Sequence, residues 1–320
     1  MQTIVGISIG GTNTSICLGN GHGLLDPSSR DQFSTETSRG PEPVIQRLRE
    51  TIERFRRATP IDGIGIALGC PCRPDDGIVL EAKPLATWTG CNVKKSFQEY
   101  APVFVMNDAD AGALAEMYWG AARGAVCSVF LTFGTGLGAG IIDHGRLIQG
   151  ATPCAGEVAH MALPREPHWL IAEEVPTFEG VCSGLGISKI LRHTFDNIAS
   201  IHANQPDFRV TTLTRDSTAK DVFSAAATGD VLGQAIVRTA GEALGYGVRN
   251  LTTILNPGTI VIGGIYARQE PVLKPFVDAA LRKLGPLNPH ATRAVTVVPA
   301  QLGEQISFYQ SVAVARYHRS

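Results

Sequence analysis

Residues 6–14 read GISIGGTNT, a glycine-rich turn with β-forming residues on either side. Residues 2–9 form a β-rich alternating run, Gly10-Gly11-Thr12 turns the chain, and a second β-rich run follows at "SICLG". Glycines let backbone N–H groups approach an anion closely, and a threonine hydroxyl adds a donor without bulk. A tight β-turn uses the same residues, so this stretch alone leaves both uses open. Two further glycine turns follow in order: Gly134-Thr135-Gly136 with Gly138 between two strands, and Gly263-Gly264 after a long helix and the strand "TIVIGG". The recurrence is what points to phosphate.

Along the rest of the chain strands alternate with helices. Strands are expected at 2–9, 15–19, near Leu24–Leu25, at "DGIGIAL", "APVFVM", 126–133, 137–142, "TIVIGG" and "AVTVVPA". Helices are expected at 42–58 after Pro41 and Pro43, over "DAGALAEMYWGAA", from about 178, at 218–228 and 230–254, and at 304–317. This is α/β architecture, with two similar units each opening on a glycine-rich strand turn around a ligand cleft.

Composition narrows the function classes. The chain has 320 residues, 44% of them hydrophobic, and a formal net charge of −1. That length supports two lobes, and the charge argues against a nucleic-acid surface. The basic cluster "RFRRA" at 54–58 lies on a helix with Glu50 and Glu53 and reads as a solvated face. The uncharged run between Arg123 and Asp143 is long enough to span a bilayer, but its central "FGTGLGAG" suits strand–turn–strand, which excludes a membrane segment. Seven cysteines, an odd number, and no leader pattern at "MQTIVGISIGG" point to reduced thiols in a cytoplasm. Cys70 and Cys72 flank Pro71 with no second pair at metal-ligand spacing. No G-x-x-x-x-G-K-[ST] occurs, and "GTGLGAG" runs into the strand-forming "IID" rather than a helix, which excludes Walker-A and nicotinamide-binding readings.

The candidate for chemistry is Asp108, placed by "VFVMNDADAGALAE" at a strand end and the mouth of a helix. Strand C-terminal ends are where open α/β sheets bind ligands. Two uses stand side by side: Asp108 or Asp110 caps the helix, or Asp108 accepts the proton of a hydroxyl attacking a γ-phosphoryl group. Asn107 could hold a hydroxyl beside it. "GEVAH" supplies Glu157 and His160, and "FEGVCSG" supplies Glu179, groups able to grip and discriminate a polyol.

Together these motifs resemble the ROK family (repressors, open reading frames and sugar kinases) of the actin-like ATPase clan, over nearly the whole chain. "GISIGGTNT" looks like its first phosphate turn, "NDADAGALAE" its catalytic segment, "TFGTGLGAGI" its second phosphate turn and "AGEVAHM" its sugar-binding segment, with Ala159 in place of a glycine. "DVFSAAATGD" and "LNPGTIVIGG" resemble stretches of the second lobe, the latter near the adenosine site. The resemblance implies a two-lobed ribonuclease H-like fold, with residues 1–106 as a small N-terminal lobe completed by a helix at about 305–320, and 107–304 as the large lobe. It implies transfer of the γ-phosphate of ATP, with Mg²⁺, to a hexose or hexose derivative, in a homodimer. Asp108 would be the base. Asn107, Glu157, His160 and Glu179 would contact sugar, and Gly10, Gly11, Thr12, Gly134, Thr135, Gly136, Gly263 and Gly264 the nucleotide.

Several departures stand out. Many family members carry a zinc-binding cysteine cluster after the histidine. The segment "MALPREPHWLIAEEVPTFEG" has no cysteine, so no zinc is expected, and another group must set the His160 tautomer. Pro71–Cys72 and Pro84–Leu85 stand where the family reads "PG" and "NL", so a preference for glucose does not carry over. Ser8 replaces the aspartate that helps hold Mg²⁺, which predicts a slow or metal-hungry kinase, the alternative being a catalytically silent sugar- or nucleotide-binding protein. Only five residues precede Gly6, which leaves no room there for a repressor's helix-turn-helix.

Overall fold

The computed structural model describes residues 2–24, 27–80, 83–152, 154–167, 169–197, 201, 206–284 and 295–319. The chain forms two compact units, the first of Met1–Phe130, Gly140–Gly156 and Ala300–Ser320, the second of Leu131–Ala139 and Glu157–Pro299. This is a division by packing. The functional lobes implied by the resemblance remain a separate proposal.

In the first unit, β1 (Ile4–Ile9) runs antiparallel to β2 (Asn13–Asn20), which pairs with β3 (Gly23–Leu24) and β4 (Asp31–Ser34). Leu25, expected in the third strand, lies outside the described residues. On its other edge β1 is parallel to β5 (Gly63–Leu68), and β5 to β8 (Val103–Asn107), giving the order β3-β2-β1-β5-β8. Between β5 and β8, β6 (Cys72–Arg73) and β7 (Ile78–Val79) make a separate small ribbon.

Helix α1 (Glu42–Ala58) starts at a proline pair and buries Val44, Ile45, Leu48, Ile52 and Phe55, one stripe at helical spacing. That stripe joins Val5, Ile7 and Ile9 of β1 in one core, because side chains of a strand alternate between faces. The opposite face, Ile4, Gly6 and Ser8, meets the C-terminal helix. That helix, α8 (Ile306–Arg319), packs Val312 and Ala315 against Ile4 and Cys17. It comes in close because β5 carries Gly65 at the crossing: a Cβ there would run into the Ser311 carbonyl oxygen. Helix α2 (Asp108–Trp119) follows β8 directly and packs on α8.

A second sheet repeats the strand order of the first. β9 (Cys127–Phe133), β10 (Leu137–Asp143), β11 (Arg146–Leu147), β12 (Thr259–Ile262) and β13 (Thr296–Pro299) are arranged β11-β10-β9-β12-β13. The second unit adds α3 (Phe178–Cys182), α4 (Gly184–Asp196), α5 (Ala219–Ala227), α6 (Val231–Leu255) and α7 (Ile265–Leu284).

Two differences from the sequence reading have clear causes. The helix expected from about 178 breaks at Ser183, whose backbone is extended (φ −70°, ψ 169°) and whose hydroxyl caps α4 by accepting from the Gly186 N–H at 3.1 Å. Helix α7 is not among the elements that periodicity predicts, since Pro271 and Pro275 interrupt the pattern and Gln269 is kinked out of helical geometry. Among the described residues no helix is long and apolar enough to cross a membrane.

Candidate active site

In the first unit the C-terminal ends of three parallel strands meet. The turn after β1 is closed by the Gly10 N–H donating to the Asn13 carbonyl at 3.0 Å. Thr35 braces it, donating its N–H to Thr12 O at 2.9 Å and its hydroxyl to Gly10 O at 2.7 Å. Gly11 at the tip is half-buried and Thr12 exposed. After β5, the Gly69 N–H donates to Ile9 O at 2.8 Å. A Cβ on Gly69 would lie 3.2 Å from Gly10 Cα and 3.6 Å from Asp108 Oδ2, so the Asp108 carboxyl sits beside the first glycine turn.

The helix cap goes to neither aspartate alternative. Asn107 is extended (φ −69°, ψ 161°) and its Oδ1 accepts from the Asp110 N–H at 2.7 Å. Asn107 therefore does local structural work with its oxygen, and this cap does not use its Nδ2 donors. Asp108 is freed from capping. Burial pushes its carboxyl from 3.8 up to about 6, with the N–H groups of Ala109 and of Asp108 itself pulling the other way. Buried Cys70 and half-buried Cys72 lie close enough to feel the Asp108 charge, yet burial chiefly pushes both thiols up to about 12. They are inert neighbours there, neither nucleophiles nor thiolate ligands at neutral pH.

Ser8 is buried, and the Gln310 side chain of α8 donates from Nε2 to its Oγ at 2.9 Å. Gln310 escapes sequence reading. The bond joins positions 302 residues apart, and no local pattern around Gln310 signals it.

The second unit gathers the other predicted residues around the second glycine turn. The Gly134 N–H donates to Gly136 O at 3.0 Å, and the Gly138 N–H to Thr132 Oγ1 at 2.9 Å. The first N–H groups of α4 support the same turn, Gly184 donating to Gly134 O at 2.9 Å and Leu185 to Thr135 O at 3.0 Å. Glu179 is half-buried, and its Oε2 accepts from the Leu137 N–H at 2.9 Å. One carboxylate oxygen is thus committed to the turn. Gly263 donates to Leu131 O at 2.9 Å, and Gly264 is left-handed (φ +63°), where a Cβ would run into the Phe133 carbonyl oxygen. The two predicted glycine turns of this unit are therefore in backbone contact.

Glu157 precedes a short 3-10 turn, Val158–His160, and His160 ends it; both are exposed. Their segment is tied to that of Glu179, since the Phe178 N–H donates to Met161 O at 2.8 Å and Leu163 N–H to Pro176 O at 2.8 Å. Exposed carboxylate and imidazole groups suit recognition of a polar ligand. Among the described residues no three His, Cys, Asp or Glu are grouped so as to hold a metal ion.

The chain is 30% identical over 283 residues to a glucokinase of Halalkalibacterium halodurans, covering 85% of this chain and 83% of that protein. It is 26% identical over 269 residues to a xylose repressor of Caldicellulosiruptor bescii, covering 82% of this chain and 65% of that one. The structure matches a ROK family glucokinase from Streptomyces griseus, solved in complex with glucose and AMPPNP, with a TM-score of 0.73 at 22% identity, over 98% of this chain and 99% of the other. The fold is the α/β, actin-like ATPase fold. The ROK family profile matches residues 4–316, and on that span this chain belongs to the ROK family.

Proposed function

We propose that this protein is an ATP-dependent kinase that transfers the γ-phosphate to a hydroxyl of a hexose or hexose derivative. The observation that carries the reading is Asp108. It stands where three strand ends meet, beside the first glycine turn, released from capping by Asn107 and with its carboxyl raised to about 6. A base with that value is ionised at neutral pH and still able to hold a proton. Asp108 would take the hydroxyl proton as the sugar oxygen forms its bond to the γ-phosphorus and the bond to the bridging β–γ oxygen breaks, leaving ADP.

The other residues bind and orient. Asn107, Glu157, His160 and Glu179 would hold the sugar. Gly10, Gly11, Thr12, Gly134, Thr135, Gly136, Gly263 and Gly264 would line the nucleotide, and the exposed Thr12 and Thr135 hydroxyls suit phosphate oxygens. Magnesium, brought in with the nucleotide phosphates, would supply charge neutralisation of the transferring group. The glucokinase relative, and the solved glucokinase holding glucose and AMPPNP, support kinase activity and ATP. The repressor relative means that family membership alone does not decide activity; the position and environment of Asp108 favour a kinase.

A second reading, a catalytically silent sugar- or nucleotide-binding protein, is favoured by one observation, the neutral Ser8 engaged by Gln310. The test is ADP release from Mg-ATP across hexoses and N-acetylhexosamines, with Asp108→Ala alongside. Turnover with one sugar, lost in the variant, is expected. Equal background in both proteins with every sugar, at high Mg²⁺ as well, would leave the silent reading standing.

A further inference from the structure

The chain between His160 and Glu179 builds one wall of a cavity that the proposed reaction does not use. Leu170 and Ile171 of this segment are buried, and the Arg165 guanidinium donates to Ile171 O at 3.2 Å and to Ala172 O at 3.4 Å. The Trp169 ring lies against that of Phe208, with 5.4 Å between centroids. Between this segment and α6 the cavity has a volume of about 510 Å³, and small-molecule sites run to about 300–1,000 Å³. Among the described residues Glu166, Pro167, Trp169 and Leu170 line one side, and Arg238 and Glu242 of α6 the other. None of the residues proposed above to hold sugar or nucleotide lines it. Arg238 and Glu242 stand one turn apart on α6, where opposite charges can pair. Yet neither they nor Glu166 makes a side-chain ion pair or hydrogen bond among the described residues, and all three are exposed.

A guanidinium only donates hydrogen bonds, and a carboxylate only accepts them. A ligand that engages both needs groups that donate and accept, and the Trp169, Pro167 and Leu170 side needs an apolar face. A saturated ring with a C–H face and a rim of hydroxyls meets both conditions. Two carboxylates against one guanidinium disfavour a phosphate. We propose that this cavity is a second carbohydrate site, which takes a neutral mono- or disaccharide with its C–H face on Trp169 and its hydroxyls on Arg238, Glu242 and Glu166. The Arg165 bonds and the contact with Phe208 hold the aromatic wall in place before the ligand arrives, which lowers the ordering cost of binding. The site goes beyond the kinase reading and does not depend on phosphoryl transfer at Asp108.

The test is titration of the whole protein, without nucleotide, with glucose, mannose, N-acetylglucosamine, maltose and glucose 6-phosphate, followed by tryptophan fluorescence. Of the three tryptophans only Trp169 lines the cavity. The variants are Trp169→Phe, Arg238→Ala, Glu242→Ala, Glu242→Gln and the double variant Glu157→Ala with His160→Ala, each checked for folding by thermal melting. At least one neutral saccharide should give a saturable change in wild type that Trp169→Phe removes. Arg238→Ala and Glu242→Ala should each weaken binding at least about tenfold, the loss of one hydrogen bond to a charged group. Glu242→Gln keeps an acceptor oxygen for a hydroxyl and should stay within about threefold of wild type. The double variant should bind as wild type does, and glucose 6-phosphate should bind more weakly than glucose. No saturable change with any of the neutral saccharides overturns the inference. So does a change that survives Arg238→Ala and Glu242→Ala but is lost in the double variant, since it then belongs to the substrate residues. Equal losses in Glu242→Gln and Glu242→Ala, or tighter binding of glucose 6-phosphate, overturn recognition through neutral hydroxyls. Each of these results leaves the kinase reading intact, because sugar-dependent ADP release tests that separately.

Discussion

Replacing Asp108 with Asn tests whether the carboxyl is held against its solvation as the structure requires. Its value rises from 3.8 to about 6 through burial. At about 1.36 kcal/mol per pH unit this corresponds to at most about 3 kcal/mol of stability lost on ionisation, solvent at the half-buried carboxyl reducing it further. The sign follows from proton binding. Below pH 3.8 folded and unfolded chains are both protonated and the group contributes nothing. Between 3.8 and about 6 the unfolded chain has lost the proton and the folded chain keeps it, so stability falls as pH rises. Above about 6 the penalty is fully expressed. Asn carries no charge at any of these values and keeps a carbonyl oxygen for the helix-start N–H groups. Asp108→Asn should therefore melt close to wild type at pH 4 and above it at pH 8, by up to about 6–10 °C for a cooperative unit of this size. The same variant should lose about 10²- to 10⁴-fold in sugar phosphorylation, and wild-type kcat/KM should rise with pH to a plateau past about 6. A difference in melting that is flat from pH 4 to pH 8, or a wild type more stable than the variant at pH 8, would refute the burial argument whatever the activity shows.

Two further substitutions follow from the hydrogen bonds. Glu116 is fully buried and accepts three backbone N–H groups, from Ala121 at 2.7 Å, Leu302 at 3.1 Å and Gln301 at 3.3 Å, which pins the chain entering α8. Glu116→Ala should cost about 3–5 kcal/mol in chemical denaturation, with Glu116→Gln in between because it keeps one acceptor oxygen. For Glu179, the Gln variant preserves an acceptor for the Leu137 N–H and removes only the charge. It should raise the sugar KM about tenfold with the ATP KM unchanged, whereas Glu179→Ala, which also frees the second glycine turn, should raise both. Identical steady-state behaviour of Gln and wild type would confine Glu179 to supporting the turn.

The glycine turns were legible because a turn between two β-rich runs is a local event, and so was Asp108 at the junction of "VFVMN" and a periodic helix. Neither aspartate is the cap: both stand in the first turn of α2, while Asn107 one residue earlier has the extended backbone that a cap needs. Glu116 sits inside an apolar-looking helix face and gave no local sign of serving the chain near residue 301. The bond of Glu179 to the second glycine turn was hidden for the same reason, since its partner Leu137 lies 42 residues away.

Most of the strands and helices, their order and the three glycine turns are written locally, because alternation, helical period and glycine act over a few residues; the proline-interrupted α7 is not. The neutrality of position 8 is equally local. What surrounds Ser8 depends on long-range packing: α8 lies close against the sheet where Gly65 leaves room, and this brings Gln310 onto Ser8. Packing alone sets the Asp108 carboxyl near 6, since desolvation is a sum over neighbours that the strand ends bring together and that no stretch of sequence contains.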